Sequence, residues 1–191
     1  MQTVGSGDAL IVVDVQNDFL PGGALPTAEG DRIFAPLERV MPLFAYVVAT
    51  RDWHPKVHPH FKDHGGAWPY HCLQHTHGAG FAPQMNLAFV DEILSKGTMP
   101  PWHGYSAFEN SDLAERLRAR GVRRIFVAGL ATDYCVKETA LASVQSGFET
   151  LVISDAIAPV NVHPGDEAAA TAEMEKQGVR FVTSDELRTA A

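Results

Sequence analysis

Gly129-Leu130-Ala131-Thr132-Asp133-Tyr134-Cys135-Val136 lies between two segments of different periodicity. Before it, Ile125-Phe126-Val127-Ala128 is a short apolar run suited to a buried strand. After it, Lys137 to Ser146 reads as a helix with Val136, Ala140 and Val144 on one stripe. The stretch is therefore a tight strand-to-helix turn with a cysteine at the helix start. A thiol there faces unpaired N–H groups and the positive end of the helix dipole, so a lowered pKa is expected. Such a thiolate is a nucleophile, and the same N–H groups can receive an oxyanion. The competing reading of Cys135 is a small buried core residue.

The same alternation runs outward in both directions. Ala9-Leu10-Ile11-Val12-Val13 is a continuous apolar run that ends at Asp14. Asp31 to Phe44 reads as a helix with Ile33, Leu37, Val40 and Leu43 or Phe44 inward, although Pro36 and Pro42 blur its ends. Tyr46 to Thr50 is a second strand, and Arg51 and Asp52 follow it. Phe89 to Ser95 contains a short strand that delivers Lys96. Ser111 or Asp112 caps a helix through Arg120, with Leu113 and Leu117 inward and Gly121 as its stop. Leu151 to Asp155 is a strand, Pro164 to Gln177 a helix with a Gly178 cap, Val179 to Val182 a last strand, and Ser184 opens a short terminal turn. Alternating strands and helices imply a mostly parallel sheet covered on both faces, an α/β fold. In such sheets the site lies at the carboxyl ends of the strands, where Asp14, Asp52 and the Cys135 turn would meet. Neither a dinucleotide fingerprint nor a Walker loop follows the first strand.

At 191 residues the chain suits one domain, 1–191, with a core large enough to need no staples. A formal charge of -8 and the lack of a basic cluster argue against nucleic acid. Arg116 to Arg124 reads as the solvated end of one helix. Two cysteines, Cys72 and Cys135, point to a reducing compartment and no disulfide framework. The apolar run near the start is too short to span a bilayer, so a soluble, cytoplasmic protein is expected.

Seven of the nine histidines lie between His54 and His77, inside an aperiodic segment, Trp53 to Ala88, rich in His, Pro and Gly. A loop of that length in a compact domain usually serves function. Asp52 and His54 point the same way in an extended chain; His58 and His60 repeat that spacing, and His71 follows Trp68-Pro69-Tyr70. One carboxylate with two or three imidazoles suits Zn²⁺, Fe²⁺ or Mn²⁺; hydrogen-bonded loop histidines are the alternative. Cys72 reads as filler, and His64, His75 and His77 as surface groups. Asp14 can relay a proton, Lys96 can favour a thiolate by its charge, and with Cys135 they suffice for acyl transfer. A carboxylate satisfying loop N–H groups and a solvated lysine are the plainer alternatives. Phe19, Trp68 and Tyr105 are loop aromatics that either stack on a flat ring or anchor the loop.

Taken in order, Val13-Asp14-Val15-Gln16-Asn17-Asp18-Phe19, Asp52-Trp53-His54-Pro55, Trp68-Pro69-Tyr70-His71-Cys72, Lys96-Gly97, Tyr105-Ser106-Ala107-Phe108 and the Gly129 to Val136 stretch closely resemble the nicotinamidase/pyrazinamidase group of the isochorismatase-like hydrolases. The resemblance spans nearly the whole chain. It implies a three-layer α/β/α fold with a six-stranded, mostly parallel sheet, and a metal-binding loop region at about 52–88. It implies a triad at Asp14, Lys96 and Cys135, and a metal site at Asp52, His54 and His71. His60 matches the relatives that place a metal-ligating histidine eight residues after the aspartate; His58 ranks below it. Phe19, Trp68 and Tyr105 match residues that flank a pyridine ring, with Tyr134 beside the nucleophile where some relatives have histidine. A cis Leu130–Ala131 bond is implied, aiming the Ala131 and Cys135 N–H groups at an oxyanion. The implied reaction is nicotinamide plus water giving nicotinate plus ammonia, with pyrazinamide as a further substrate. One divalent ion per subunit is implied, zinc first and iron or manganese next; a homo-oligomer fits the family. Thr98 to His103 departs from the pattern, being richer in proline and bulky residues. Two other readings compete: an amidase for maleamate or a carbamoyl compound, and a non-catalytic metal-binding or redox protein. Cys135 itself counts against an isochorismatase proper.

Overall fold

The computed structural model of the protein describes residues 1–189. Its strands are β1 (Gln2–Val4), β2 (Asp8–Val13), β3 (Val47–Asp52), β4 (Glu92–Lys96), β5 (Arg124–Leu130), β6 (Glu149–Ala158), β7 (Arg180–Val182) and β8 (Leu187–Thr189). Its α-helices are α1 (Phe34–Val40), α2 (Leu113–Ala119), α3 (Lys137–Gln145) and α4 (Asp166–Lys176). Six strands form one parallel sheet in the order β4-β3-β2-β5-β6-β7. β2 lies near its centre, and every residue from Asp8 to Val13 is buried. That explains the unbroken apolar run, because a strand covered on both faces has no polar side to show.

The period-two alternation of side chains divides the core. Leu10 and Val12 of β2 and Phe126, Ala128 and Leu130 of β5 point into one cluster with Ile33, Leu37 and Val40 of the α1 region. Ala9, Ile11 and Val13, with Ile125 and Val127, point into the other with Leu113 and Leu117 of α2, Ala140 of α3 and Met174 of α4. Burying each aliphatic side chain of this size contributes about 1.5–3 kcal/mol. The result is the three-layer α/β/α arrangement expected.

Several boundaries differ from the expectation. The Asp31 to Phe44 helix is broken, with 3₁₀ turns at Gly30–Ile33 and Met41–Leu43 flanking α1. β6 is twice the expected strand length. β1 and β8 form a separate two-stranded parallel sheet that local pattern does not announce. Arg124 is not part of a solvated helix end; it opens β5 and pairs with Asp8 at 2.7 Å. Arg116 is likewise paired, with Glu92 at 2.6 Å. Gly129 has φ +110°, and a Cβ there would run into the Val13 backbone, so β2 and β5 approach as closely as they do only with glycine at this register.

Candidate active site

The sheet register assembles the site. Asp52 ends β3 directly opposite Lys96 at the end of β4. Asp14 follows β2 with φ +49°, a left-handed turn that asparagine and aspartate tolerate better than most residues. Its N–H donates to Thr50 O at 3.2 Å. Thr50 Oγ1 in turn donates to Asp14 Oδ1 at 2.7 Å, which fixes the carboxylate between the two strands. After β5 the Leu130–Ala131 bond is cis, as the resemblance implied. Thr132–Val136 then forms a π-helical turn that carries Cys135 into α3. The Lys96 Nζ lies 2.7 Å from Asp14 Oδ2 and 3.7 Å from Cys135 Sγ, and it also bonds Asp52 Oδ1 and Gly104 O. Lys96 is therefore no surface group, and Cys135, though buried, packs among charged partners as well as core residues.

These contacts set the protonation states. Burial disfavours the Lys96 ammonium, but Asp14 and Asp52 outweigh it and hold the lysine charged. Burial pushes Asp14 up to about 6, with Lys96 opposing and Asp52 reinforcing the shift. Burial also pushes Asp52 up, yet the Lys96 ammonium holds it well below the usual carboxylate range. Cys135 is raised well above its ordinary value by burial, against Lys96 and with Asp52 and Asp14. The sequence expectation of a depressed thiol pKa is thus reversed. Position at a helix start predicted a thiolate; complete burial beside two carboxylates outweighs the dipole and the lysine. The resting group is a thiol that needs a base, and Asp14 faces it.

Beside this cluster is a histidine cradle. One ligand atom from each of His54, His60 and His71 lies within 4.8 Å of the others. His54 Nε2 is 3.5 Å, and His71 Nε2 3.9 Å, from Asp52 Oδ2. Two ligands sharing one tetrahedral ion at about 2.1 Å sit roughly 3.4 Å apart, so these spacings suit a metal. His54 Nδ1 meets Gly97 O at 3.0 Å and His71 Nδ1 meets Pro69 O at 2.8 Å. A carbonyl only accepts, so both rings carry their proton on Nδ1 and turn an Nε2 lone pair inward. The buried His54 Nε2 has no partner among the described residues. Burial, with His54 next to it, lowers His60 to about 2 and keeps it neutral, as a ligand must be. Asp14, Asp52 and Cys135 also cluster, but there the Lys96 ammonium is already the cation. His58 is buried outside the cradle and its Nδ1 accepts the His60 N–H at 3.2 Å, a supporting place. His64, His75 and His77 are exposed, and Cys72 is buried filler, as expected.

Both constellations open onto one pocket, whose walls include Phe19, Trp68, Tyr105, Tyr134, Ala131 and Cys135 as well as Asp52, His60 and His71. Trp68 Nε1 donates to Tyr105 Oη at 2.7 Å, and the Trp68 ring meets Tyr134 edge-on at 4.8 Å. Leu25 and Val160 complete the wall and were missed by sequence reading. So were two polar clamps. Gln16 accepts from Asp52 N at 2.8 Å and donates to Asp52 O and Ala79 O, tying the ends of β2 and β3 to the histidine loop. Asp133 accepts from Val160 N and Asn161 N at 2.9 and 2.8 Å, holding the segment after β6 against the pocket. A polar residue inside each motif was the only local sign of either.

The family described as Isochorismatase domain matches residues 8–186. The nicotinamidase of Escherichia coli (strain K12) is 35% identical, covering 92% of this chain and 94% of its own. The PnC1 protein of L. infantum, solved in complex with nicotinate, superposes with a TM-score of 0.94 at 37% identity over 99% of both chains. The pyrazinamidase of Pyrococcus horikoshii, solved in complex with zinc, gives 0.84 at 45% identity over 93% of this chain and 99% of its own. With the family model matched over residues 8–186 and relatives similar over nearly the full length, the chain belongs to the isochorismatase family of hydrolases.

Proposed function

We propose that this protein is a nicotinamidase, a metal-containing cysteine amidohydrolase that converts nicotinamide and water to nicotinate and ammonia. The observation that carries the reading is that a thiol–carboxylate–ammonium cluster and a histidine cradle face each other across one aromatic pocket. Asp52, His54, His60 and His71 would hold one divalent ion, and zinc suits three imidazoles and a carboxylate, with iron or manganese as alternatives. When bound, that ion supplies a Lewis-acidic position for a ring nitrogen of the substrate.

Phe19, Trp68, Tyr105 and Tyr134 flank the aromatic ring and leave its carboxamide over Cys135. Asp14 takes the Cys135 proton as sulfur attacks the amide carbon. The Ala131 and Cys135 N–H groups receive the oxyanion of the tetrahedral adduct. Asp14 passes its proton to the departing nitrogen, so ammonia leaves and a thioester remains. Asp14 then draws a proton from water, whose oxygen attacks the thioester carbon; the C–S bond breaks, Asp14 returns that proton to sulfur, and the acid product leaves as nicotinate after losing its proton to solvent. Lys96 stays charged throughout and steadies each anionic partner. The two free cysteines and the small-molecule substrate suit a cytoplasmic enzyme.

Pyrazinamide keeps a ring nitrogen in the same relation to its amide and should also react. Ammonia release from nicotinamide, pyrazinamide and maleamate by zinc-loaded protein tests the assignment. The two heteroaromatic amides should turn over well and maleamate poorly. Turnover of maleamate without nicotinamide would overturn the substrate while leaving the thiol chemistry intact.

A further inference from the structure

Of the three histidines in the cradle, two have their outer ring nitrogen fixed by a backbone carbonyl, Gly97 O for His54 and Pro69 O for His71. His60 has none. Its Nδ1 instead faces Nδ1 of His103 at 3.5 Å, the outer limit of a hydrogen bond. His103 closes the proline-containing 98–103 segment, and it is exposed. Its ring lies nearly parallel to Tyr105, 16° between planes with centroids 6.0 Å apart, which sets the direction of its nitrogens. The segment is tied down at both ends: Gln74 Nε2 donates to Thr98 O at 3.3 Å, and Lys96 Nζ donates to Gly104 O.

We infer that His103 is the positioning residue for His60: its Nδ1 accepts the His60 Nδ1–H, so that His60 Nε2 is turned toward the metal. This rests on the metal cradle proposed above. In His54 and His71 the protein uses a carbonyl for this purpose; here it uses a side chain carried on the segment between β4 and α2. Metal-ligating histidines lacking such a partner lose orientation and basicity, commonly at a cost of about 10–100-fold in metal affinity.

The test is zinc affinity, measured by competition with a chromogenic chelator, for wild type, His103→Phe and His103→Asn. The phenylalanine variant keeps a ring against Tyr105 but has no acceptor. The asparagine variant keeps an acceptor oxygen and loses the ring. Zinc binding should weaken about tenfold or more in His103→Phe and stay near wild type in His103→Asn. Wild-type affinity in His103→Phe overturns the inference and leaves the cradle standing. Equal weakening in both variants overturns it too, because packing rather than the acceptor would then matter. If wild type takes up no zinc, the cradle itself fails and this inference with it.

Discussion

In the proposed mechanism Asp14 takes a proton from a buried thiol, and its surroundings set the pH at which it can do so. Burial raises it to about 6, so the carboxylate is ionised at neutral pH and protonated below. Activity therefore needs the deprotonated form and is lost as pH falls through about 6. The kcat/KM for ammonia release should show an acid limb near that value. A profile flat down to about pH 4, the range of an ordinary carboxylate, would remove Asp14 from the role of base. Asp14→Asn should lower kcat by about 10²-fold or more at every pH, the usual contribution of a positioned base. At this scale the sequence was legible in residue identity and wrong in one state. Asp14, Lys96, Cys135 and the histidines stood out by type and spacing. The raised thiol of Cys135 did not, because burial beside Asp14 and Asp52 depends on strands more than eighty residues away in sequence.

At the scale of elements, the close approach of β2 and β5 brings Asp14 to the Cys135 turn. Gly129→Ala places a Cβ against Val13 and forces φ +110° on a residue with a side chain. It should cost about 2–3 kcal/mol in urea denaturation, with activity falling as Asp14 and the Cys135 turn separate. Unchanged stability would mean that this contact relaxes freely. Asp133→Ala should release the Val160 wall, raising KM more than it lowers kcat, whereas an equal fall in kcat and kcat/KM would assign Asp133 to the chemistry. The apolar strands and the stripes of α2 and α3 were readable because their periods are local. Gln16 and Asp133 were not, because each satisfies backbone groups of a distant segment. The β1–β8 pair was hidden for the same reason, since it joins opposite ends of the chain.

For the whole molecule, folding brings Asp52, His54, His60 and His71 together, and the unfolded chain has no such cradle. Metal binding is therefore coupled to stability. Zinc at 100 times its dissociation constant should add about 2.7 kcal/mol, or roughly 5–10 °C in Tm for a chain of this size, and a chelator should reverse it. A Tm indifferent to zinc and chelator would contradict the cradle. Among the described residues no helix is long and apolar enough to cross a membrane, and the net charge of -8 suits neither nucleic acid nor an anionic surface. At the carboxyl end of the parallel sheet the fold offers a pocket with the thiol on one wall and the histidines on another. Cleavage by this thiol of the amide of a ring held across the pocket is the heart of the proposed function. It is tested most directly by ammonia release from nicotinamide with zinc-loaded wild type and Cys135→Ala, each checked for equal zinc content. Wild type should release ammonia and Cys135→Ala should fall by at least about 10³-fold; ammonia release by Cys135→Ala at the wild-type rate would contradict the account.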